Sequence, residues 1–524
     1  MQKREPVNIN VSAAIIADIS SGIYRTPANA LKELISNSFD ADATKVIVTT
    51  GYPNFEVMTV SDNGNGMSVE EFEDYMQHIG GSFKRIGTTV ASRKRPVIGK
   101  LGIGILSVSQ ICKKFSVVSS KGDGQKFEAA INLAEFEEKE AARKKLGEVT
   151  IGRFVPYVYP EEKGLSYTKI ILGEIDRGFT EKLLLRPDLP RFRTKQPNPQ
   201  AFREFLAEVA KVGDLAKLSE YDRLLWGLAL AAPVEYLEEG PVIGCETIAD
   251  IKKRLKSYEF KVLVDGLELR KPIAFPLDPE LKRRGKDYDV RDDFEFSGIV
   301  PGLPSGRSRL KLRGYVYFQR RKIVPPDLQG ILIRIRNVAI GSYDKSLLGY
   351  PKSEGPKMTM VSGEIYVDEG LEEALNIDRN SFRETDLHYL ELQRIVWKRF
   401  GGTREEAKDA VFPVMRHLSE KRRIDELKSE ERSRYDNMEK TIAGVLGKSY
   451  KITSSDKEGD QPVIVDEKRR TIIVYKKNWV WPSKRAEIGA TRKLLIFREL
   501  CDQTSRTITQ ARERFYGLLR KHRE

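Results

Sequence analysis

Glu33 and Asn37 stand four residues apart in a stretch whose apolar positions, Ala30, Leu31, Leu34 and Ile35, follow helical spacing, so the two share one helix face. A carboxylate beside a nucleotide can orient or deprotonate a water. An amide oxygen next to it can join phosphate oxygens around Mg²⁺, a metal that takes oxygen ligands and keeps some of its waters. On spacing alone such a pair is usually a solvated helix face. Asp62 follows a strand-like run and opens Asp62-Asn63-Gly64-Asn65-Gly66-Met67. A buried carboxylate there can accept a hydrogen bond from the exocyclic amine of adenine, and Gly64 and Gly66 let the backbone approach the base. The same residues also make an ordinary turn. A third element, Gly99-Lys100-Leu101-Gly102-Ile103-Gly104, precedes a helix-like run, where backbone N–H groups and the helix dipole favour phosphate. It is not a Walker A loop, since no Gly-x4-Gly-Lys-Ser/Thr occurs, and no strand precedes it as a dinucleotide fold requires.

Several elements must position these groups. The pattern predicts a short helix over 10–22 and a second over 27–40 with Pro27 in its first turn. Strands follow at 45–50 and 55–60, joined by a turn at Gly51-Tyr52-Pro53-Asn54. Residues 68–98, rich in Ser, Thr, Lys and Arg, read as a mobile lid, and a helix runs from the glycine loop to about Cys112. Strands at 115–119 and 168–172 complete a sheet near residue 180. A proline-rich linker spans 187–199, and 200–236 reads as helix. Strands alternate with turns over 257–345, 386–400 is helical, and 404–447 is a charged helix or helix pair. Two strand-like runs fall in 462–478, and 484–521 reads as helix.

The three motifs in this order resemble those of the GHKL ATPase superfamily. Glu33-Leu-Ile-Ser-Asn37-Ser-Phe-Asp40-Ala resembles its N-box, Asp62 to Met67 its second motif and Ile98 to Gly104 its third. Tyr167-Thr168-Lys-Ile-Ile is a looser match to the fourth. The resemblance implies a Bergerat-type α/β (α+β) sandwich over residues 1–185, with helices on one face of a mixed sheet. It implies that Glu33 activates water, Asn37 holds Mg²⁺, and Asp62, with Gly64, Gly66, Met67 and Thr168, receives adenine. Asp40 and the Gly99–Gly104 loop (Lys100, Leu101, Gly102 and Ile103 between) complete the ATP site.

Within the superfamily the phrase Lys32-Glu-Leu-Ile-Ser-Asn-Ser38 is similar to heat-shock protein 90. So is Ala374-Leu-Asn-Ile-Asp-Arg379-Asn-Ser-Phe382, which resembles the middle-domain segment whose Arg reaches the γ-phosphate. The resemblance implies that Arg379 is catalytic and stabilises transition-state charge from a second domain. Asp378 and Asn380 depart from that family's pattern. Beyond 1–185 the expected divisions are a linker and helical insertion at 186–255, a middle α/β domain at 256–402, a charged helical segment at 403–460 and a basic region at 461–524. The expected activity is Mg²⁺-dependent ATP hydrolysis driving a homodimeric, chaperone-like clamp on a protein client. The alternative is a DNA- or RNA-associated ATPase of the MutL or microrchidia type; a second alternative is a nucleotide-gated scaffold with little turnover.

Charge bears on that choice. The chain carries a net +14, and residues 461–524 hold 16 Lys/Arg against 7 Asp/Glu, whereas 403–460 balance at 13 against 13. Lys468-Arg-Arg470, Lys476-Lys477 and Lys484-Arg485 lie among Tyr475, Trp479 and Trp481, a mixture suited to nucleic-acid strands. The plainer reading puts both tryptophans on one core face of a strand with the lysines solvated. The longest apolar run, Leu224 to Val234, contains Pro233 and is too short for a bilayer. The N-terminus lacks a signal peptide's apolar run, and three scattered cysteines, Cys112, Cys245 and Cys501, fit a reducing cytoplasm. His78, His388, His417 and His522 are isolated and suggest no heavy-metal site.

Overall fold

The computed structural model describes residues 2–12, 27–78, 95, 98, 104–132, 148–185, 199–238, 246–273, 288–376, 380–401, 410–446, 449–457, 463–466, 468–475 and 513. The chain divides into two compact units, 1–414 and 415–524. Its elements are mixed α/β, and among the described residues no helix is long and apolar enough to cross a membrane.

The first unit opens with strands β1 (Gln2–Lys3) and β2 (Val7–Ser12). The helix expected over 10–22 is thus corrected at its start. Val7, Ile9 and Val11 alternate with polar residues, a period of two, and the strand pairs antiparallel with Glu148–Phe154. Residues 13–26 lie outside the described ones. Helix α1 (Pro27–Asp40) begins at its proline, as expected, and buries Ala30, Leu31, Leu34, Ile35 and Phe39. Burying each of the larger side chains is worth about 1.5–3 kcal/mol. The helix ends where Asp42 turns left-handed (φ 60°) and Ala43 N–H bonds back to Ser38 O at 3.1 Å, closing off orphan carbonyls.

Strands β3 (Lys45–Thr49) and β4 (Met58–Asp62) follow. The second starts three residues later than its sequence suggests. Phe55, at φ 57°, belongs to the turn, bonds back to Gly51 O at 2.9 Å and packs on Tyr221 with ring centroids 5.5 Å apart. Helix α2 (Val69–Gln77) occupies part of the expected lid. A capping box between Ser68 and Glu71 starts it, and Val69, Phe72 and Met76 bury its inner face. Lid residues 79–94 lie outside the described ones. The apolar run after the glycine loop is a 3-10 helix, Gly104–Gln110.

Strands β5 (Cys112–Lys121), β6 (Gln125–Asn132), β7 (Glu148–Phe154), β8 (Pro156–Pro160) and β9 (Ser166–Ile175) precede helices α3 (Arg177–Leu184), α4 (Pro199–Val212), α5 (Glu220–Ala231) and α6 (Glu246–Ser257). The single helix read over 200–236 is broken, because Gly213 (φ 70°) ends α4 and Ser219 caps α5. Strands β10 (Lys261–Val264) and β11 (Leu267–Glu268) then return to the first sheet, whose order is β1-β8-β6-β5-β9-β4-β3-β10-β11. It is antiparallel except where β10 runs parallel to β3. A second sheet, in the order β12-β13-β16-β14-β15, holds β12 (Tyr288–Ile299), β13 (Arg309–Gln319), β14 (Gly330–Ile335), β15 (Val338–Asp344) and β16 (Val361–Glu369). Helix α7 (Leu387–Phe400) follows, capped by Asp386 and ended at Gly401.

Helix α8 (Val411–Leu446) is one 36-residue helix. The second unit also contains a three-stranded sheet of β17 (Lys451–Ser455), β18 (Val463–Asp466) and β19 (Thr471–Tyr475), with β19 central. The helix expected over 484–521, with Trp479 and Trp481, falls outside the described residues apart from Glu513.

Candidate functional site

Asp62 is the last residue of β4 and lies opposite Thr168 on β9. Its side chain is 8% exposed. Oδ2 accepts from Ser38 Oγ at 2.7 Å and Oδ1 from Gly64 N–H at 2.9 Å. The Thr168 backbone N–H also bonds to the carboxylate. Burial raises its pKa above the ordinary aspartate value, and these three donors partly oppose that rise. A carboxylate offers about four acceptor positions. Three donors leave Asp62 one acceptor position, in a setting where its charge is poorly solvated.

The loop after Asp62 is fixed by close backbone approaches. A Cβ on Gly64 would sit 2.6 Å from Ala41 O, and one on Gly66 (φ 62°) 1.8 Å from Ser120 O. Met67 N–H donates to Ser119 Oγ at 2.9 Å, and Ser119 Oγ lies 3.0 Å from Thr168 Oγ1. Asn65 N–H bonds to Ala41 O at 2.8 Å, tying the loop to the end of α1.

On α1 the turns that face the loop carry the remaining groups. Glu33 is buried and Asn37 half-buried, one helical turn apart. Asp40 Oδ1 accepts from Ile98 N–H at 2.6 Å, so this carboxylate holds the approach to the glycine loop. Of that loop only Gly104 is described; Gly99, Lys100, Leu101, Gly102 and Ile103 lie outside the described residues. Arg379 lies outside them too. Its neighbour Asn380 is described, and its Oδ1 accepts from Lys32 Nζ at 3.1 Å.

Two groups escaped the sequence reading. The Tyr75 hydroxyl is raised in pKa by burial first, and by the Glu33 charge, while the Ile105 backbone N–H bonds to it. The phenol therefore stays protonated at neutral pH, within reach of the Glu33 charge. Arg95, 1% exposed, donates Nη1 to Ala43 O at 2.6 Å and Nη2 to Tyr258 O. Its guanidinium lies 4.9 Å from the Phe39 ring centre. Both fall in the polar stretch read as lid, where neither residue type nor spacing marks a buried anchor.

Residues 24–154 match the family model described as histidine kinase-, DNA gyrase B-, and HSP90-like ATPase. The N-terminal part of the chain is accordingly a GHKL-type ATPase domain, a class that is generally Mg·ATP-dependent and implies ATP hydrolysis. A protein of Herpetosiphon aurantiacus named as a candidate type II restriction enzyme, HgiDII, is 34% identical over 188 residues, which is 35% of this chain and 28% of that protein. DNA mismatch repair protein MutL of Sinorhizobium fredii is 42% identical over 64 residues, covering 12% of this chain and 11% of MutL. MutL of Brucella anthropi is 40% identical over 63 residues, covering 12% and 10%. The chain thus spans well under half the length of these relatives. The family description embraces several branches, and the relatives' names give the heat-shock protein 90-like, chaperone reading no support.

The donor set fits ATP with magnesium. Asp62 keeps an acceptor position for an amine, Asn37 offers an amide oxygen, and Glu33 is a buried carboxylate one turn away.

Proposed function

We propose that this chain is a DNA-associated ATPase whose hydrolytic cycle opens and closes a dimeric clamp. The observation that carries the site is the spare acceptor position of buried Asp62; the names of the relatives support the DNA association. Asp62 accepts the adenine amine, and Gly64 and Gly66, packed closely on Ala41 O and Ser120 O, hold the loop that carries it. Asn37 and the 99–104 loop hold magnesium and the phosphates. Bound magnesium supplies neutralisation of phosphate charge. Glu33 orients the attacking water and takes its proton, with the protonated Tyr75 phenol within reach of its charge. Arg379 stabilises the charge that develops on the transferred group. The excess of cations in 461–524 supports contact with a phosphate backbone.

Steady-state turnover, paired with ATP binding, tests this reading. Glu33→Ala is expected to bind ATP within about threefold of wild type and to lose turnover by about 100-fold or more. Duplex DNA is expected to stimulate the wild type, with stimulation fading as salt rises. Normal turnover in Glu33→Ala would overturn the site assignment. Turnover indifferent to DNA at low salt would overturn the DNA association and leave the ATPase standing.

A further inference from the structure

Lys32 precedes Glu33 on α1 and is 4% exposed. Lysine is almost never this buried without partners. Its bond to Asn380 joins two parts of the first unit that are 348 residues apart in sequence. The residues just after Asn380 pair with Leu375 and Asn376. Asn376 N–H donates to Ser381 O at 3.0 Å, Asn376 Nδ2 donates to Ser381 Oγ at 2.8 Å, and Leu375 and Phe382 form a backbone bridge behind them. Gly341 on β15, at φ 67°, passes so close that a Cβ there would lie 2.5 Å from Asn380 O. Asn380 is therefore gripped from one side by the second sheet and from the other by the helix of the candidate ATP site.

We propose that Lys32 is a positioning residue for ATP hydrolysis, tying Asn380 to the helix that carries Glu33. The inference rests on the ATPase reading and adds to it a built connection between the nucleotide helix and the second sheet. Lys32 is the residue before Glu33, so its bond to Asn380 fixes the turn of α1 from which Glu33 reaches the site. A displacement of about 1 Å at a reacting group can cost about 100-fold in rate, so a hydrogen bond that sets this anchor acts on turnover more than on nucleotide affinity. Lys32 supplies the charge-assisted donor, Asn380 the acceptor, and Gly341 the space that lets Asn380 reach it.

The test measures kcat and the ATP Kd for Lys32→Met, Asn380→Leu, their double variant and Gly341→Ala, alongside Glu33→Ala. Each single change is expected to lower kcat by about tenfold or more with the ATP Kd within about twofold. The double variant is expected to be no slower than the worse single, because both remove one interaction. Lys32→Arg and Asn380→Asp, which keep donor and acceptor, should retain kcat within about threefold of wild type. Hydrogen exchange should quicken in 374–386 of Lys32→Met and stay unchanged in β4. The proposal is overturned if Lys32→Met turns over normally, if the single effects multiply in the double variant, or if 374–386 keeps its protection. Should Glu33→Ala be dead while Lys32→Met is normal, the ATPase reading survives without this one. Should the wild type itself not hydrolyse ATP, both fall.

Discussion

Replacing Asp62 by asparagine separates what the carboxylate costs the fold from what it gives a nucleotide. Asparagine has the same shape. With its oxygen kept on Gly64 N–H, its amide nitrogen faces Ser38 Oγ, which can accept while its own proton stays on Leu34 O, 3.2 Å away. The loop is therefore expected to keep its form. The free acceptor position becomes a donor and the charge disappears. A hydrogen bond to a charged group is worth about 1.5–3 kcal/mol, which corresponds to about 10- to 150-fold in ATP Kd. Stability moves the other way. Because burial raises the Asp62 pKa above its ordinary 3.8, the folded state holds the proton more tightly than the unfolded chain. The fold therefore loses stability as pH rises from 3.8 through the folded pKa, and at neutral pH carries the full cost of the buried charge. Asp62→Asn removes that cost. Titration calorimetry should show the weakened ATP binding, and thermal melts at pH 7 should place the variant level with or above wild type, the gap narrowing as pH falls toward 4. An ATP Kd within threefold of wild type, or a melting point lowered equally at both pH values, would refute the reasoning.

Gly66→Ala must move the 62–67 loop, since its Cβ would lie 1.8 Å from Ser120 O, and is expected to cost more than about 2 kcal/mol by urea unfolding as well as ATP binding. Gly164→Ala is the matched control: its φ of 86° is equally left-handed but nothing lies within 4 Å, so only the backbone strain of about 1–2 kcal/mol remains. Arg334→Met leaves Glu364, fully buried and 2.5 Å from the guanidinium, without its counter-charge, an expected loss of about 3–5 kcal/mol in the same assay. Burial alone would raise the Glu364 pKa, but Arg334 and the hydroxyls of Tyr236 and Tyr315 outweigh it and hold it below its ordinary 4.5. Its contribution is therefore present above pH 4.5 and lost as pH falls through the lower folded value, so the stability gap between wild type and Arg334→Met should narrow in acid.

The nucleotide motifs were legible because they are local. Helical spacing placed Glu33 and Asn37, and a strand running into glycines placed Asp62. Their partners were less legible: Thr168 entered only through the looser resemblance to a fourth motif, and Ser119 and Arg95 not at all. Thr168 and the Ser119 hydroxyl meet beside Asp62 only through the β4–β9–β5 register, while Ser38 reaches it from α1. Arg95 looks like one cation in a polar stretch until the end of α1 and Tyr258 close over it. At the N-terminus Val7, Ile9 and Val11 carried a strand signal, but their partner strand lies more than 130 residues on.

The boundary drawn at 255/256 has a similar cause, and it leads to a test. Strands β10 and β11 look in sequence like the start of a second domain, yet they complete the first sheet beside β3. Just beyond them Lys271 donates to Ala232 O at 2.8 Å at the end of α5, and Arg334 of the second sheet donates to Leu230 O at 2.8 Å on the same helix. Arg334 also grips Glu364, which accepts from Tyr236 at 2.6 Å and Tyr315 at 2.7 Å. One hydrophobic core runs from α1 through α4 and α5 to Tyr315 and Tyr366. Among the described residues no seam of exposed side chains separates the two sheets along this line, so opening one exposes the core of the other. In native-state hydrogen exchange under increasing denaturant, amides of β5 and β16 should therefore merge into a single opening isotherm. Arg334→Met should lower both by the same amount, although the substitution touches only the second sheet and α5. If β16 instead opened at a lower free energy while β5 kept its protection, the sheets would be independent folding units, and Lys32 would be left tying two bodies that the buried network does not hold together.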